Sequence, residues 1–191
     1  MMNNKVKPMV QGAFLAAFNG VLGVLNIYLG QMFDVMFAYV MVLPMVYYSK
    51  HNRLSNSLLV MLVSFFVLFM VGELFFMLFA TACLMMGVFY GEALKREWSK
   101  KRTFYGLTFL SAIKNGIIFF LLGELLGLSV FEEGIEIYEM MVGWIPIFNE
   151  MLSSTVVFVI LWILVFLSEA KITMFYSDLF LHRIEKHNYK H

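Results

Sequence analysis

Lys114 and Asn115 interrupt the apolar run TFLSAIKNGIIF at residues 108–119, where lipid-facing side chains would otherwise be expected. Thr108, Ser111 and Asn115 follow spacings of three and four, so on a helix they form one polar stripe with Lys114 at its edge. An ammonium beside an amide and a hydroxyl can hold an anionic or hydrogen-bonding ligand. The same groups can equally form a structural ion pair or interhelical hydrogen bond, with Glu73 or Glu124 as counter-charge. Trp144, Asn149 and Glu150 offer stacking plus directional polar contacts, the combination a planar ligand uses, although tryptophan is also common as an interfacial belt residue. Asn26, Tyr28, Asp34 and Tyr39 form a comparable group. Glu73 stands at the start of an apolar segment, where the helix dipole favours a carboxylate without further function.

The elements that position these residues follow from composition. The 191 residues are 61% hydrophobic and 14% charged, with a mean hydropathy of +0.81, which leaves too little polar surface for a soluble globule. A hydrocarbon core of about 30 Å needs about 20 apolar residues as helix. That length fits six times, at residues 9–28, 32–49, 55–72, 73–93, 104–126 and 147–170. The expected fold is therefore an all-α integral membrane protein, one domain over residues 1–191, with six transmembrane helices. The run after MMNNKVKPMVQGAF continues at transmembrane length without a small-residue cleavage site, so no cleavable signal is expected.

Orientation follows from the basic residues. Lys5 and Lys7, Lys50 and Arg53, the group from Lys95 to Arg102, and Arg183, Lys186 and Lys190 all fall on one side of a six-span arrangement. The opposite connections, around 28–34, 72–73 and 127–147, contain no lysine or arginine and carry six acidic residues from Asp34 to Glu139. Both termini are thus expected in the cytoplasm. Lys171 lies near the cytoplasmic end of the last span, where it can snorkel. Lys114 lies about 16 Å into its helix, near the midplane, where an unshielded charge costs at least about 2.5–3.5 kcal/mol.

Two ridges of small residues stand out. Gly12, Ala16 and Gly20 step by four along the first span, with Ala13 and Ala17 on the adjoining ridge, and Cys83, Gly87 and Gly91 run down the fourth. Small residues let helices approach closely in lipid, so each ridge serves either internal packing or a partner protein. The single cysteine excludes an intrachain disulfide. No HExxH, GxSxG or P-loop pattern occurs, so no catalytic residues, metal ligands or cofactor are expected and nucleotide hydrolysis would fall to partners.

Six short spans in 191 residues, Ala13 and Ala17 as an AxxxA motif in the first helix, and a long outer connection before the last span resemble the substrate-binding (S) component of an energy-coupling factor vitamin transporter. The resemblance implies a bacterial plasma-membrane protein that captures a small vitamin-like molecule from outside. It implies as partners a transmembrane T component and two ATPase subunits, with Ala13, Ala17 and Gly20 at the interface. Lys114, Asn115, Glu73, Trp144, Asn149, Asn26, Tyr28 and Tyr39 occupy the region where such proteins bind their solute. The start of the chain lacks the histidine-rich segment of nickel and cobalt members, which favours an organic ligand. Glu73, Lys114 and Trp144 suit a B6-type pyridine vitamin first and thiamine second. The alternative is a membrane scaffold or assembly protein in which Lys114 is a structural charge.

Overall fold

The computed structural model describes residues 6–71, 74–126 and 154–188, with 132, 135, 136, 139 and 140 between the last two helices. Six long helices make up the described chain: α1 (Val6–Tyr28), α2 (Asp34–His51), α3 (Leu54–Val71), α4 (Leu74–Lys95), α5 (Lys100–Leu126) and α6 (Ser154–Asn188). Four of them, α1, α3, α4 and the Thr155–Lys186 part of α6, are long and apolar enough to cross a membrane. Helix α2 is punctuated by Asp34, Pro44 and Lys50, and α5 carries three basic residues in its first turn and Lys114 in its middle.

Helices α2 and α4 form the centre, with α1 and α3 on one side and α5 and α6 on the other. Ala38, Met41, Met45 and Val46 of α2 and Ala80, Cys83 and Leu84 of α4 are fully buried. Both small-residue ridges turn out to be internal. On α4, a Cβ at Gly91 would lie 2.6 Å from the Val46 carbonyl, and Ser49 Oγ donates to the Val88 carbonyl at 3.0 Å across the same seam. On α1, Gly12 and Gly20 face Val60 and Val67 of α3, and Asn19 Nδ2 donates to Ser64 Oγ at 3.0 Å. In lipid such seams rest on close van der Waals contact and interhelical hydrogen bonds rather than on hydrophobicity.

Side-chain contacts gather the start of α1 and the ends of α2, α4 and α6 at one end of the bundle. Tyr48 Oη donates to the Pro8 carbonyl at 2.9 Å, Lys95 Nζ to the Asn52 carbonyl at 2.7 Å, and Lys50 Nζ meets Glu185 at 2.5 Å. This basic end contrasts with the far end, where Gly30 (φ +68°) and Gln31 (φ 64°) turn the chain from α1 into α2 through left-handed conformations.

The largest departure from the sequence expectation is α6, which runs to Asn188 rather than ending near residue 170. Thr173, Ser177 and Leu181 recur at spacings of four on its buried face while Phe175, Tyr176 and Leu179 are exposed, so the helical pattern continues past the charges at 169 and 171. At about 52 Å it is longer than a hydrocarbon core is thick.

Candidate functional site

Four helices converge on the carboxylate of Glu169, which α6 presents to the polar stripe of α5. Lys114 Nζ donates to Glu169 Oε1 at 2.7 Å, and Asn115 Nδ2 donates to Oε2 at 2.9 Å. Ser111 Oγ donates to the same Oε2. The helical spacing explains the meeting, because residues 111, 114 and 115 lie on one face one turn apart. The Lys114 and Glu169 side chains are 2% and 14% exposed, so the pair is withdrawn from solvent at about 21 Å from the start of α5.

Aromatic rings from the central helices complete the enclosure. The Lys114 ammonium lies 4.6 Å from the centroid of Phe79 on α4 and 5.9 Å from that of Tyr39 on α2, within the range of cation–π attraction. Thr173 Oγ1 and Ser177 Oγ, one and two turns along α6 from Glu169, are buried without a hydrogen-bond partner among the described residues, and Tyr39 Oη is buried beside Glu169. Buried hydroxyls are normally satisfied by protein, water or ligand. The cluster therefore combines a cation, an anion and unused hydroxyls. A zwitterionic solute could exchange its own carboxylate and amine for the two halves of the pair.

The structure brings three of the expected site residues together: Lys114, Asn115 and Tyr39. Asn26 is fully buried elsewhere, donating through Nδ2 to Asp34 across the α1–α2 turn. Tyr28 is 84% exposed and points away from the bundle. Glu73, Trp144 and Asn149 lie outside the described residues. Ala13 and Ala17 are exposed, as a partner-facing pair requires. Gly20 is not; it belongs to the Gly12–Ala16 ridge and is turned inward, where a Cβ would lie 2.5 Å from Val67.

Among the described residues the counter-charge of Lys114 is Glu169; Glu73 and the Glu124 side chain, the partners expected from the sequence, lie outside them. In the sequence Glu169 sits beside Ser168 and Lys171, a combination that resembles a helix end. The signal that marks it is the spacing Glu169, Thr173, Ser177, a second polar stripe at the period of the one on α5.

A cleft of about 810 Å³ lies at the basic end, between α1 and α2 and closed by Phe180 of α6. It shares no residue with the Lys114 cluster, so it is not the outward-facing pocket expected from the sequence.

The family described as "Predicted membrane protein (DUF2232)" matches residues 17–146, which takes in α2 to α5 with Lys114 and stops before α6. No match was found among curated proteins or among solved structures. The match spans about two thirds of the chain, and the protein belongs to this family of membrane proteins.

Proposed function

We propose that the protein is the substrate-capture subunit of an ATP-driven vitamin transporter of the energy-coupling factor type, with all six helices crossing a bacterial plasma membrane and both termini in the cytoplasm. The observation that carries this reading is the buried Lys114–Glu169 pair with the buried, unpartnered Thr173 and Ser177 hydroxyls on the same helix and the Tyr39 ring beside it. Intramembrane charges mark functional sites by default, and this one retains hydrogen-bonding capacity its own neighbours leave unused. The distribution of basic residues supports the orientation. The solute would be a small molecule carrying both acidic and basic groups, a B6-type pyridine before thiamine. In the transporter family the subunit itself hydrolyses nothing and reorients when the ATPase-driven T component engages it.

A panel of water-soluble vitamins tests the reading by thermal unfolding of the purified protein. A true ligand at about 100 times its Kd stabilises by about 2.7 kcal/mol, an increase that Tyr39→Phe and Asn115→Ala should reduce without unfolding the apo protein. No increase with any member of the panel would contradict a vitamin ligand. The partner side rests on the exposed Ala13 and Ala17. Ala17→Trp is expected to leave unfolding unchanged while abolishing co-purification of the T component and ATPases; unchanged co-purification would move the interface elsewhere.

One observation favours a second reading. Glu169 already gives Lys114 a full counter-charge, which is what a scaffold protein with a structural ion pair requires.

A further inference from the structure

The cleft at the basic end has dimensions and chemistry of its own. Its α1 wall runs from Lys7 to Phe18 and its α2 wall from Asn52 to Val40, stretches of about 16 Å and 18 Å along the helix axes. Half of a hydrocarbon core is about 15 Å. The slot is therefore as deep as one leaflet, with its mouth at the basic end and its closed end near the middle of the bundle.

The walls and the rim differ in character. Phe14 is 76% exposed and Val10 54% exposed on the α1 side, while Leu43 and Pro44 face them from α2. Pro44 has no N–H, so the Val40 carbonyl one turn back lacks its usual helical partner within the same wall. At the mouth stand Lys7 and His51; no carboxylate among the described residues lines the cleft, and Glu185, close enough to His51 to interact electrostatically, is paired with Lys50. The His51 ring lies 4.5 Å from that of Tyr47 and its Nδ1 is within 2.9 Å of the Tyr47 carbonyl, which directs the second ring nitrogen elsewhere. Lys50 is committed to Glu185, whereas Lys7 has no ion-pair partner among the described residues. The Tyr48–Pro8 hydrogen bond fixes the mouth by tying α2 to the first turn of α1.

We infer that this cleft seats one anionic phospholipid of the leaflet at the basic end, its acyl chain between α1 and α2 and its phosphate against Lys7 and His51. The acyl chain covers apolar surface over the full depth of a leaflet, and the basic rim supplies the charge complementarity that selects an anionic headgroup, as basic pockets between membrane helices do. A soluble organophosphate would use the rim and leave the slot empty. The site is separate from the Lys114 cluster and does not depend on the solute-capture reading.

Native mass spectrometry of the full chain, released from nanodiscs of equal phosphatidylglycerol and phosphatidylcholine, tests this. Wild type is expected to retain one phosphatidylglycerol at about tenfold over phosphatidylcholine. The exposed-rim variant Lys7→Gln/His51→Gln should lose the preference, and Leu43→Trp, which fills the slot without altering charge, should lose retention of both lipids. Equal retention of the two lipids by wild type, retention unchanged in both variants, or displacement of the lipid by millimolar glycerol 3-phosphate as effectively as by phosphatidylglycerol would each overturn the assignment.

Discussion

Glu169→Leu is expected to destabilise the protein by about 3–5 kcal/mol, because it leaves the Lys114 ammonium buried without its counter-charge. The loss is largest at this position because Glu169 also accepts from Ser111 and Asn115: the Ser111 hydroxyl would lose its acceptor with the lysine, and Asn115 Nδ2 would keep only its bonds to Ser111. Lys114→Met is expected to cost less, since Glu169 keeps the hydrogen bonds it accepts from Ser111 and Asn115. The double variant Lys114→Met/Glu169→Leu should recover most of the stability, as replacing a whole buried ion pair by apolar side chains is often neutral or favourable. Thermal unfolding in one detergent gives all three values. Equal losses in the double variant and in Glu169→Leu would show that the pair is not the reason for the loss.

The second large effect lies in the α2–α4 seam. In Gly91→Val the new Cβ would meet the Val46 carbonyl oxygen and Ser49 Cβ at 2.6 Å and the Lys50 nitrogen at 3.0 Å. Two of those contacts are backbone atoms, which cannot rotate aside as a side chain can. The helices must separate, straining the seam that includes the Ser49–Val88 hydrogen bond, and a loss of about 3 kcal/mol is expected from overpacking and the weakened bond together. Gly116→Ala is the control. Among the described residues nothing lies within 4 Å of its Cβ position, so alanine there should stabilise α5 by about 0.5–1 kcal/mol. Similar stability of the two variants would contradict a tight α2–α4 contact.

Much of the architecture was legible because lipid imposes a simple ruler. The centres of α1 to α5 fell within the expected apolar runs, whereas that of α6 lies beyond its run, and Lys114 was conspicuous because a charge has no inexpensive place in such a run. Glu169 was not, for the opposite reason: close to Ser168 and Lys171, it matches the polar flank that ends a span, and only its recurrence with Thr173 and Ser177 reveals the longer helix. Gly20 shows a different limit. Small residues mark close approach but not which helix approaches, and it is packing against α3 that turns Gly20 inward, towards Val67, while Ala13 and Ala17 remain outside. The cleft had no local signal beyond Pro44, since its walls come from α1, α2 and α6, far apart in sequence.

The most direct measurement is mass spectrometry of small molecules released from the gently purified wild-type protein and from the folded Lys114→Met/Glu169→Leu variant. Solute capture at the Lys114–Glu169 cluster predicts one stoichiometric vitamin-like compound from the wild type and none from the variant. A compound present equally in both, or a wild type empty of any solute, would contradict it and leave the pair as a structural charge in a scaffold.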